Sequence, residues 1–138
     1  VKPLFVDTSG FVALAQSKDR NHGRARRFFR LLARTRRPLL TSTYVADEVI
    51  TLVRMRIGHT AAVETGRAIL DSKWCRLLDI DEELRTSAWN LFVRYQDQEF
   101  SFTDCTSFAI MKALGLDEAF TFDRTDFAAA GFSALPLD

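Results

Sequence analysis

The chain has 138 residues, 47% of them hydrophobic and 27% charged, with a formal net charge of +1. That predicts one domain over residues 1–138 with a real core, and excludes a disordered segment; the apolar runs are far shorter than the roughly 20 residues that cross a membrane. No basic stretch leads into an apolar one as in a secretory leader, and Cys75 and Cys105 have no CxxC or metal-type spacing, so reduced thiols and a cytoplasmic setting are expected.

In chain order, LFV at 4–6 predicts a short buried strand stopped by Asp7, and after Thr8, Ser9 and Gly10 a helix runs from Phe11 to Ala15. A second helix covers His22 to Ala33, with Asn21 in the N-cap position. LLTS at 39–42 predicts strand two, and Tyr44 to Ile57 an amphipathic helix closed by Gly58. Thr60 to Leu70 is the next helix, CRLLDI (75–80) the third strand, and Asp81 to Tyr95 a helix with an acidic first turn. Thr103 to Leu114 is a helix ended by Gly115, AFTF (119–122) is the fourth strand, and a weak fifth lies around Ser133 to Leu135. Short apolar strands alternating with helices predict a three-layer α/β/α sandwich around a parallel sheet of four to five strands, Rossmann-like in plan. In such sheets ligands bind beyond the carboxyl ends of the strands. Asp7 and Asp123 are both read as strand-ending residues, which would bring them to one edge.

Two helical acids can join them. Asp104 lies in a first helical turn, with Ser107, Phe108 and Met111 following at i+3, i+4 and i+7, so it stands above a sheet-packing face. Taken alone it reads first as a helix-capping acid. Glu48 falls beside the apolar stripe Val45, Val49, Leu52 and Val53, where a carboxylate is costly without a partner; neighbouring Asp47 faces solvent. Apart from Arg124, no lysine or arginine in their own segments matches Asp7, Glu48, Asp104 and Asp123. Either these acids do not converge, or a hard divalent cation with oxygen ligands holds them. With only His22 and His59 in the chain, neither a zinc site nor a Ser–His–Asp triad is suggested.

VDTS at 6–9, the acid at Glu48, SFTDCTSFAIM at 101–111 and TFD at 121–123 together resemble the PIN domain of metal-dependent nucleases. FTDCTSFAIM followed by AFTFDR is most similar to the VapC-type ribonuclease toxins of toxin–antitoxin pairs. The resemblance spans essentially the whole chain. Each motif is weak by itself; the ordered set is specific. It implies a PIN-like fold, Asp7, Glu48, Asp104 and Asp123 as ligands of Mg²⁺ or Mn²⁺, and hydrolysis of RNA. Thr8 or Ser9 would orient Asp7 or its water. For Asp126 three places stay open: a fifth ligand, an acid behind the ligands, or the exposed surface. A small cognate antitoxin and a homodimer are also implied. The same nuclease could serve RNA maturation without toxicity. An aspartyl-phosphate phosphatase wants an acid two residues after Asp7, where Ser9 stands, and a phospho-acceptor receiver wants a strand-ending lysine that is absent. A non-catalytic domain that kept the acidic pocket is the remaining alternative, disfavoured by the completeness of the set.

Residues 1–70 carry 13 Lys/Arg against 5 Asp/Glu, and residues 71–138 carry 6 against 13. Such asymmetry hints at a polyanionic partner, a metal, or both. The basic half peaks in HGRARRFFRLLARTRR (22–37), where Ala25, Phe28, Phe29 and Leu32 form the core stripe and Arg27, Arg30 and Arg34 line the opposite flank. These three are candidates for RNA phosphate contact, against a plainly solvated face or contact with an acidic stretch of a partner protein. Tyr44, Trp74, Trp89 and the twelve phenylalanines are read as core, not as stacking platforms.

Overall fold

The computed structural model describes residues 1–71 and 75–137; the reading of Trp74 lies outside them. Among the described residues the elements run β1 (Leu4–Val6), α1 (Thr8–Ala15), α2 (His22–Thr35), β2 (Leu39–Ser42), α3 (Thr43–Arg56) and α4 (His59–Leu70). There follow β3 (Cys75–Leu78), α5 (Glu82–Arg94), α6 (Phe102–Leu114), β4 (Glu118–Phe120), α7 (Arg124–Ala129) and β5 (Ser133–Leu135). All five strands pair in parallel, in the order β3-β2-β1-β4-β5. β1 and β2 are buried along their whole length, as strands covered by helices on both faces must be. The three-layer α/β/α expectation holds, including the weak fifth strand.

Strand order reverses between β1 and β4, and at such a switch point a crevice opens beyond the carboxyl ends. The core beneath it is aromatic. Phe5, Phe108, Phe120 and Phe127 are fully buried, and Phe108 meets Phe100 and Phe127 edge-on at 5.0 Å each. Burying one such ring contributes about 1.5–3 kcal/mol. α1 lies so close over β4 that a Cβ on Gly10 would sit 2.9 Å from the Phe120 carbonyl oxygen, so glycine is required there. This contact seats the start of α1 at the crevice.

Three local expectations change. α1 begins at Thr8 instead of Phe11, because Asp7 caps it, its side chain accepting from the Ser9 amide. β4 ends at Phe120 instead of Phe122: the Phe122 amide donates to Ser9 Oγ and the Asp123 amide to Thr121 Oγ1, which draws the chain out of the ladder. Asp123 therefore occupies the N-cap position of α7, a helix the sequence reading did not foresee, and not the strand end itself. Trp89 and Phe92, both read as core, are exposed instead, at 55% and 40%. The inward stripe of α5 runs through Leu84, Ala88, Leu91 and Tyr95, and Trp89 sits about 100° around the helix from Ala88.

Candidate metal centre

Asp7 is the deepest acid at the switch point, 4% exposed. Its Oδ2 accepts from Thr121 Oγ1 at 2.8 Å and from Ser9 Oγ at 2.9 Å. The two hydroxyls also lie 3.0 Å apart. Since Ser9 takes the Phe122 amide and Thr121 the Asp123 amide, one polar network ties the end of β1 to the segment carrying Asp123. Burial pushes the Asp7 carboxyl above its ordinary range, and the Thr121 and Ser9 bonds pull against that. Of the two hydroxyl residues offered by the sequence, Ser9 does the orienting. Thr8 Oγ1 is buried, lines the same cavity and has no partner among the described residues.

Asp104 comes from the other side of the crevice. It completes a capping box with Ser101: the Asp104 amide donates to Ser101 Oγ at 3.0 Å, and Asp104 Oδ2 accepts from the Ser101 amide at 3.1 Å. The capping and cavity readings are thus both true of this residue. Burial first, then the charge of Asp7, with a smaller push from Glu48, raises its carboxyl to about 6. Asp123 is raised further, to about 7, by burial and then by the charges of Asp126 and Asp104.

Asp7, Glu48, Asp104 and Asp123 all line one cavity of about 210 Å³. Glu48 is half-buried and faces it, whereas neighbouring Asp47 is exposed. Leu52, expected in the core stripe of α3, turns instead toward this cavity. The tightest group differs from the expected quartet. One carboxylate oxygen each of Asp104, Asp123 and Asp126 lies within 4.8 Å of the others, with Asp7 and Glu48 outside that trio. Asp126 is half-buried, one turn into α7 from Asp123, and so is not a bare surface acid.

Two like charges 5 Å apart repel by about 3 kcal/mol at an effective dielectric of 20. Among the described residues no lysine or arginine pairs with any of these acids at ion-pair distance. Raised carboxyls, an orphaned Thr8 hydroxyl and an oxygen-only donor set fit a hard divalent cation. Several lining residues went unread in the sequence. Asp19 was given no role and Asn21 was read only as a helix N-cap, while Thr121, which stands behind the lining on Asp7, fell within the expected fourth strand. Asn21 holds the N-cap position of α2 without a side-chain cap bond; its amide donates to Asp19 Oδ1 at 2.8 Å, and both residues line the cavity. Arg56, in the last turn of α3, lines it too. Its spacing of eight from Glu48, a return to the same helix face, was the available signal. Arg27, Arg30 and Arg34 lie outside the cavity and are exposed along α2.

Residues 4–133 match the family model described as PIN domain. Over 129 residues, 94% of this chain and 95% of the relative, the sequence is 42% identical to a 23S rRNA-specific endonuclease, VapC20 of Mycobacterium tuberculosis. The crystal structure of that sarcin–ricin-loop-cleaving toxin superposes with a TM-score of 0.88 at 40% identity, covering 97% of this chain and 99% of the other. FitAcB from Neisseria gonorrhoeae shares the fold, with a TM-score of 0.68 at 16% identity over 96% of each chain.

Proposed function

The chain belongs to the PIN-domain family, and from that premise we propose that it is a divalent-metal-dependent endoribonuclease acting as the toxin of a toxin–antitoxin pair. The observation that carries the reading is the convergence of Asp7, Glu48, Asp104 and Asp123, from four separate elements, on one cavity with no paired base among the described residues. Identity of 42% to an enzyme named for 23S rRNA supports RNA as substrate and makes ribosomal RNA the first to test.

In this reading the four acids hold Mg²⁺ or Mn²⁺, with Asp126 beside Asp123 as a further acid behind or among them. Such an ion, when bound, polarises the phosphodiester, lowers the pKa of a water and stabilises charge on the leaving oxygen. Thr121 and Ser9 hold Asp7 in a single orientation, and the Ser101 capping box does the same for Asp104. Water attacks phosphorus, the bond to one bridging ribose oxygen breaks, and a cavity carboxylate takes the proton of the water. Of the three candidate arginines of α2, Arg27 and Arg34 supply phosphate contacts outside the cavity. A small antitoxin holds the enzyme in check in the cytoplasm, and a second copy forms a homodimer. The exposed apolar face of Trp89, Phe92 and Val93 on α5 is a surface such a contact would cover.

Incubation with an RNA panel that includes ribosomal RNA tests the chemistry. Cleavage should require Mg²⁺ or Mn²⁺ and stop with a chelator; an enzyme that cuts no RNA with either metal overturns the reading. Expression without an antitoxin should slow growth, and Asp7→Asn should relieve it.

A further inference from the structure

A cavity walled by Asp7, Asp19, Glu48, Asp104 and Asp123 repels a polyanionic strand along most of its length, so the grip on that strand must lie beside the cavity. Two cationic features flank it. Arg56 lines it at the end of α3 and forms no ion pair among the described residues. On another side Phe122 forms part of the wall, and the Arg24 guanidinium lies 5.7 Å from the centroid of its ring. From Arg24 a groove of about 400 Å³ leads away along α2. Arg24, Arg27 and Arg34 line it, with Phe28 and Leu31 between them and Pro136 and Leu137 alongside. Arg24, Arg27, Leu31 and Arg34 follow the i, i+3, i+7, i+10 spacing of one helix face, and ten residues of helix span about 15 Å. Arg30 does not line this groove.

We propose that the groove carries the phosphates of the RNA strand on one side of the scissile bond, that Phe122 marks where the strand turns into the cavity, and that Arg56 grips it on the other side. The proposal rests on the nuclease reading above and adds to it the path of the substrate. Guanidinium forks match phosphate oxygens, and the apolar surface of Phe28, Leu31 and Leu137 accepts sugar and base faces between them. An acidic protein segment would suit the same arginines. RNA is favoured because the groove adjoins the cavity through the Arg24–Phe122 stack, so one continuous strand can occupy both.

The test is fluorescence anisotropy with a short mixed-sequence single-stranded RNA, titrated against NaCl without divalent metal so that nothing is cut. Each phosphate contact on a single strand contributes a slope of about 0.7 in log affinity against log salt. Combining Arg24→Ala, Arg27→Ala and Arg34→Ala should lower the slope by about 2 and weaken low-salt binding at least by an order of magnitude. Arg56→Ala should remove about 0.7, and Arg30→Ala nothing. The triple lysine variant, which keeps the charges and controls for folding, should keep the slope. An unchanged slope in the triple alanine variant overturns the proposal, as does an Arg30→Ala effect as large as that of a groove arginine. So does a triple alanine variant that loses affinity for a polyglutamate peptide yet binds RNA like the parent. If wild type cleaves no RNA with Mn²⁺, the nuclease reading fails; if it cleaves and the slope does not move, only the groove fails.

Discussion

At the amino-terminal end of the strands Lys2 Nζ lies 3.3 Å from Asp117 and donates to the Gly115 carbonyl at 2.8 Å, while Arg37 reaches Glu118 at 2.8 Å. At the carboxyl end six acids, Asp7, Asp19, Glu48, Asp104, Asp123 and Asp126, gather in or beside one cavity with no base at ion-pair distance among the described residues. The contrast teaches what each end is for. Paired, mostly solvated charges cost the fold little and return at most about 1 kcal/mol each. Desolvated like charges cost stability, and their concentration at a crevice marks chemistry.

The largest effect that would break the comparison is on catalysis. Asp104→Asn should cut metal-dependent RNA cleavage by a factor on the order of 10² or more, whereas Glu118→Gln at the opposite end should leave the rate unchanged. Equal rates in wild type and Asp104→Asn would remove this residue from the centre. Next comes metal linkage. Mg²⁺ or Mn²⁺ at a hundred times its dissociation constant should stabilise wild type by about 2.7 kcal/mol in thermal melts, and Asp104→Asn by much less. Without metal Asp104→Asn should be as stable as wild type or more so, since the amide oxygen can still accept from the Ser101 amide while the charge is gone.

A third measurement uses pH. Asp104 and Asp123 stand near 6 and 7 in the folded chain, against about 3.9 unfolded. Between those limits the folded state holds more protons, so metal-free stability rises as pH falls through 7 and then 6, and the gain is complete near pH 4. The melting temperature of wild type should therefore climb by a few degrees more than that of Asp123→Asn between pH 8 and pH 5; parallel curves would contradict it. The smallest effect belongs to the paired end. Arg37→Ala should cost about 0.5–1 kcal/mol and Lys2→Ala close to nothing, read by denaturant midpoints. A loss of several kcal/mol at either residue would mean that the paired end is not the inexpensive one.

Much of the centre was legible because its acids sit where local pattern is strongest. Asp7 follows an apolar triplet, Asp104 heads the face of Ser107, Phe108 and Met111, and Glu48 lies beside a valine stripe with Asp47 one position off the face. Heptad-like spacing likewise placed Ala25 and Leu32 of α2 inward. The link from these motifs to a PIN-type nuclease came through resemblance in the ordered set, since no single spacing specifies a metal or RNA.

What local pattern determined, then, was where most of the helices lie, most of the stripe that each buries and which acids stand close to a buried face. Tertiary structure decided what those acids meet. The Thr121–Asp7 bond spans 114 positions and the Ser9–Phe122 bond 113, and no periodicity of 2 or 3.6 carries information over that distance. The same holds for Asp126 joining Asp104, for Arg56 closing on the cavity and for Arg24 meeting Phe122. Each depends on the reversal of strand order between β1 and β4, which brings remote segments to one crevice. Trp89 shows the same limit inside one helix: its apolar ring suggested burial, but its angle from the Ala88 stripe leaves it 55% exposed, touching Phe102 of α6 edge-on.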